Sequence, residues 1–169
     1  MSTVYTATPI QPQSPWVPGE DMVAAAYYTF SAGFVLGDTI VFPNMVPPAG
    51  VDVTEVLVYH TPLDSNATPT GTYDFGDNQT DGSQTARFLL NAPMGGAGTQ
   101  IKNFSNVTPA FTSGVQTVGI GYHYNNDQQT PGTNAGYWNG VWTVTAAPAT
   151  AVTSGTIFFY FKYRCSGLI

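Results

Sequence analysis

Apolar and polar residues alternate along this chain in short runs of period two, separated by clusters of Gly, Pro, Asn, Asp and Ser. The clearest run is residues 155–164. It puts Ile157, Phe159, Phe161 and Tyr163 on one face and Phe158, Tyr160, Lys162 and Arg164 on the other. Residues 116–124 alternate as cleanly, with Val118, Ile120, Tyr122 and Tyr124 opposite Thr117, Gly119, Gly121 and His123. Residues 51–60 are apolar on both faces in their second half, the pattern of a central strand covered on both sides. Further strands are expected near 25–31, 34–42, 72–75, 85–91 and 137–146. For 85–91, Ala86, Phe88 and Leu90 are expected on one face. The alanines of 21–28 allow a helix there as the alternative, but the aromatic and β-branched residues that follow favour strands.

About eight short strands with turn residues between them predict an all-β, antiparallel β-sandwich over residues 21–169. A jelly roll is preferred over an immunoglobulin-like sandwich because the loops are long enough for Greek-key crossings. The loops at 43–50, 76–83, 93–98 and 125–136 are polar or rich in Gly and Pro. Residues 1–20 carry Pro9, Pro12, Pro15 and Pro18, a three-residue spacing that favours an extended, polyproline-like arm over any sheet or helix. Trp16 and Val17 stand out within that arm. A large aromatic there is expected to dock either on a neighbouring chain or back on its own core.

Composition narrows the functional classes. Charged residues make up only 8%, and the polarity comes from neutral side chains, so partners are expected to cover parts of the surface. The net charge is −6, with Arg87, Lys102, Lys162 and Arg164 the only Lys and Arg residues, too few to neutralise a phosphate backbone. Direct nucleic-acid binding is therefore excluded as an expectation. No stretch approaches the roughly 18 apolar residues of a membrane span. The opening MSTVYTATPI has no basic region followed by an apolar one, so no secretion signal is expected. Cys165 is the single cysteine and is read as a small apolar residue near the end of the last strand.

Few residues are arranged for chemistry. A zinc site would need His60 and His123 to converge with an acid such as Asp64. Asp64, Asp74, Asp77 and Asp81 lie in one loop region and could hold calcium, but DNQTDG at 77–82 departs from the EF-hand pattern, and Asp and Asn favour turns for their own reasons. The serines lack a GxSxG elbow, and PMGGAG at 93–98 lacks the Gly-Lys-Ser/Thr ending of a phosphate cradle. The expectation is a protein with no enzymatic activity, cofactor or metal. Tyr122, Tyr124, Tyr137, Trp138 and Trp142 offer a rival reading, an aromatic platform for carbohydrate or a receptor. Exposure decides it: a solvent-facing Trp138 and Trp142 would favour a platform, and packed ones a structural role.

The order GDTI…FP…PPAGVDVTEV…LDSNATPTGTYDFG, spanning residues 37–76, resembles small virion proteins of tailed bacteriophages encoded beside the major capsid protein. The resemblance implies a head decoration or cement protein on the capsid surface. Such a protein would be made in the host cytoplasm, bind the major capsid protein and form a homo-oligomer, dimer or trimer. A carbohydrate- or receptor-binding module of the tail or fibre is the alternative. Interface candidates are Trp16 and Val17 on the arm and Phe158 and Tyr160 on the outer face of the last strand.

Overall fold

The computed structural model describes residues 1–11, 21–46, 51–77, 88–95, 122–124 and 138–165. Ten strands are named among them: β1 (Val4–Thr6), β2 (Thr8–Gln11), β3 (Asp21–Phe30), β4 (Thr39–Val46), β5 (Val51–His60), β6 (Thr72–Asp77), β7 (Leu89–Pro93), β8 (Tyr122–Tyr124), β9 (Trp138–Ala146) and β10 (Gly155–Cys165). They form two five-stranded sheets, ordered β1-β4-β9-β6-β7 and β2-β3-β10-β5-β8. Strand neighbours are antiparallel except β1 and β4, which run parallel. The antiparallel pairings are nested: β3 with β10, β4 with β9, β5 with β8, β6 with β7. From β3 to β10 the chain is thus one long hairpin whose strands are shared between the two sheets.

The inward residues of β10 are those the alternation predicts: Ile157, Phe159, Phe161 and Tyr163 are fully buried. Opposite them on β3 stand small residues, Ala26 against Phe159 and Ala24 against Phe161, which leave room for the rings. That pairing explains why an alanine run forms a strand here, and burial along β3 alternates with period two, so the helical alternative for 21–28 does not occur. From the facing sheet Phe42 and Phe75 meet Phe159 at ring-centroid distances of 3.7 and 5.2 Å. Trp142 on β9 is enclosed between Phe34 and Tyr73, at 5.0 and 5.3 Å.

Several boundaries differ from the sequence reading. The strand expected at 34–42 begins only at Thr39, because Gly37 takes φ +83° and the Asp38 carboxylate accepts the Val35 N–H at 2.9 Å, closing a turn. Phe34 is therefore a buried core residue outside any strand. Strand β4 instead runs on through Pro43, with a register shift against β9 between Phe42 and Val46. Strand β7 starts at Leu89. The shared face expected for Phe88 and Leu90 fails, since Phe88 and Leu89 are buried and Leu90 is exposed. At its start the loop expected at 93–98 is ordered by packing, with Pro93 ending β7 and Met94 fully buried. Ala86, Arg87 and the rest of 78–87, like 116–121, lie outside the described residues.

At the N-terminus the expectation of no sheet fails for residues 4–11: β1 joins the edge of one sheet and β2 the edge of the other, with the buried Ala7 crossing between them, while 12–20 lie outside the described residues. Ala7 N–H donates to the Val41 carbonyl at 2.9 Å, and Asp38 accepts the Thr3 N–H at 2.8 Å. Pro9 is accommodated because β2 is an edge strand, where one residue direction needs no ladder donor, and the register shifts just after it. Trp16 and Val17 lie outside the described residues.

Candidate interaction surface

Three of the polar residues singled out for chemistry, Asp64, Asp74 and His60, are engaged in holding the fold. Asp64, 1% exposed, sits in the β5–β6 connection with its carboxylate facing five main-chain N–H groups. Oδ1 accepts from Asn66 and Thr150 at 3.1 and 3.0 Å, and Oδ2 from Thr70, Gly71 and Ala149 at 2.9, 3.1 and 2.9 Å. Gly71 is needed for this approach: a Cβ there would stand 2.9 Å from Met94 Sδ and 3.0 Å from Pro148 Cα. Burial by itself would push the Asp64 carboxyl upward. The N–H groups of Thr150, Ala149, Gly71 and Asn66 outweigh it and hold the carboxyl well below the usual carboxylate range. With both oxygens occupied by amides, Asp64 has little to offer a cation, and the shared calcium and zinc readings lose their central ligand. Asp74, the next acid, accepts the Asn91 N–H at 2.7 Å, where Asn91 turns at φ +51°. The side chain of Asp77 and all of Asp81 lie outside the described residues.

His60 is equally committed. Its Nδ1 donates to the Thr61 carbonyl at 2.7 Å, which leaves Nε2 to accept the Tyr73 hydroxyl at 3.2 Å. His123 cannot join it: His123 pairs with Asp52, eight residues along β5 from His60, a separation of roughly 26 Å at the rise of a strand. Burial pushes the His60 imidazole below its ordinary value, against the opposing pull of the Thr61 carbonyl.

These two groups set an acid response. His60 is held neutral in the fold, so the unfolded chain binds the extra proton; its contribution is complete above about pH 6.5 and declines as pH falls below that. Asp64 has a depressed folded value, so its contribution is complete above about pH 4 and is lost only in stronger acid. Thermal unfolding followed from about pH 8 to about pH 3 is expected to fall in two stages. His60→Gln should flatten the first and Asp64→Asn the second; a single stage unaffected by either substitution would contradict this assignment.

The outer faces of the two sheets differ. On the sheet containing β9, outward positions include Thr39, Thr72, Thr143 and Thr145, with Thr72 and Thr145 hydroxyls 2.9 Å apart. On the sheet containing β10 the register sets Tyr27, Phe158 and Tyr59 in one row across β3, β10 and β5. Phe158 is 42% exposed and Tyr59 41%, with the Phe158 ring 6.2 Å from Tyr27 and 5.9 Å from Tyr59. The next row is Ala25, Tyr160 and Leu57, each half-buried, and the one after it pairs Lys162 with Glu55. The sequence pattern identified Phe158 and Tyr160; Tyr27 and Tyr59 could be added only from the register. Trp142 is wholly buried and cannot serve a platform. Tyr137 and the side chains of Trp138, Tyr122 and Tyr124 lie outside the described residues. Among the described residues no helix is long and apolar enough to cross a membrane.

No protein-family model matches the chain and no curated protein matches it significantly. Two solved structures share the fold. One is a chain of the cyanophage Pam1 capsid asymmetric unit, 20% identical, with a TM-score of 0.58 over 91% of this chain and 91% of that one. The other belongs to the capsid of Ralstonia phage GP4, also 20% identical with a TM-score of 0.58, over 99% of this chain and 100% of that one. The likeness is one of fold, and it extends over nearly the whole of each chain.

Proposed function

We propose that this chain is a non-enzymatic structural protein of a bacteriophage virion, a head decoration or cement protein that binds the assembled capsid through the major capsid protein and stabilises it. The observation that carries this reading is the end-to-end fold likeness to chains of two phage capsids. The engagement of Asp64 and His60 by main-chain groups and Tyr73 agrees with it, because neither is left available for catalysis. The nested pairing of β3 to β10 supports reading the sandwich as a jelly roll. The burial of Trp142 weakens the rival carbohydrate or receptor platform.

In this reading a dimer or trimer, made in the host cytoplasm, attaches at the capsid surface and adds contact area between subunits. The sandwich, with residues 4–11 built into it, is a rigid block. Trp16 and Val17 in the proline-rich segment, and Phe158 and Tyr160 on the outer face of β10, are its interface. Large aromatics that are exposed in the free protein and enclosed in a complex are the usual centres of binding energy. Particles lacking the protein should release DNA at lower temperature than complete ones, and adding purified protein back should restore them. Equal robustness of the two particles, with the protein found at the tail tip in a map of the virion, would exclude cement function and favour receptor binding.

A further inference from the structure

The row of rings on the outer face of the β10 sheet is neutral and ridged, the chemistry that holds polyproline-type segments in aromatic-lined grooves. Its residues Tyr27, Phe158, Tyr59, Ala25, Tyr160 and Leu57 carry no charge, and its hydroxyls can donate to the carbonyls of an extended backbone that makes no internal hydrogen bonds. The chain contains one stretch of matching chemistry: PQSPWVP at 12–18 is uncharged, with prolines at every third position, so that Pro12, Pro15 and Pro18 share one edge of a polyproline helix.

Tether lengths decide which copy supplies it. The stretch leaves β2 at Gln11, beside Ala25, and must rejoin the same sheet at Asp21 on β3. A path from Gln11 across to Tyr59 and back to Asp21 covers roughly 38 Å, from the strand spacing of about 4.8 Å and the rise of about 3.3 Å per residue. Nine connecting residues in polyproline form span roughly 31 Å, and the rings stand above the sheet besides. A chain therefore cannot lay this stretch along the full row of its own face, whereas a neighbour placed with its β2 edge over the row can.

We propose that the Tyr27–Phe158–Tyr59 face receives the Pro12–Pro18 segment of a second copy of this chain. The inference rests on the reading of this face as an interface, not on capsid attachment, and its test uses the isolated protein so that the two fail separately. Two variants of the full chain are compared with wild type by sedimentation over a concentration series. The face variant carries Tyr59→Ser and Phe158→Ser; the segment variant carries Pro12→Ala, Pro15→Ala and Pro18→Ala and alters no residue of either sheet. Wild type should self-associate, and each variant should do so at least about tenfold more weakly with its thermal unfolding preserved. Mixing the two, one of them fluorescently labelled, should recover association between unlike copies, because one retains the segment and the other the face. A segment variant that associates like wild type would show that the face meets something else. A mixture that recovers nothing, or a wild type that stays monomeric to about millimolar concentration, also overturns the proposal.

Discussion

Asp64→Ala is expected to lower the free energy of unfolding by about 4 kcal/mol, the largest effect of any single polar substitution in the described part of the chain. The carboxylate joins two connections that are remote in sequence, its own and the β9–β10 connection through Ala149 and Thr150, at a corner that the main-chain N–H groups of Leu63 and Asp64 also tie to the Met94 carbonyl after β7. Truncation leaves five main-chain donors facing an apolar methyl. Each unsatisfied buried donor costs about 1–3 kcal/mol, reduced where water can enter from the exposed tip around residues 65–70. For a chain of this length each kcal/mol lowers Tm by about 2–4 °C, so a fall of about 10 °C is expected. Asp64→Asn should be almost as damaging, since its amide nitrogen brings a donor against donors whichever way it is turned. If the asparagine variant loses less than about 1 kcal/mol in denaturant titrations, neither the charge nor the second acceptor oxygen of Asp64 holds these amides, and the acid response assigned to Asp64 fails with it.

Trp142→Ala is expected to cost about 3–5 kcal/mol by opening a cavity between Phe34 and Tyr73 in the middle of the sandwich. The more informative change is Trp142→Phe. The indole Nε1 is buried and finds no acceptor among the described residues, so phenylalanine removes volume without breaking a hydrogen bond. About 1–2 kcal/mol is expected for that variant, with the slope of the denaturant titration unchanged. Phenylalanine as harmful as alanine would mean that the indole N–H makes an interaction of consequence. The buried Trp142 is expected to act through packing, which separates it from the exposed ring row, where Phe158→Ser should change association far more than stability.

What the sequence determined by itself is the inner face of a strongly alternating strand such as β10; of the equally regular run 116–124 only the backbone of Tyr122–Tyr124 is described. Period two is a property of a single strand, so β10 could be assigned its inner face, Ile157 through Tyr163, without knowing what lies opposite. Composition likewise supplied the expectations of no nucleic-acid partner and no membrane-spanning helix, because those need charge or apolar length that is visible residue by residue. The tertiary structure alone decided the rest. Val4–Thr6 and Thr8–Gln11 are too short, and too interrupted by Pro9, to signal strands; they become strands only because the edges of β4 and β3 are there to pair with. Asp64 looked like one of several loop acids, because its partners are main-chain amides, which every non-proline residue has and no sequence pattern marks, and Thr150 lies 86 residues away. The ring row had the same origin. Tyr27, Tyr59 and Phe158 are far apart in the chain, and only the register of β3, β10 and β5 sets them side by side.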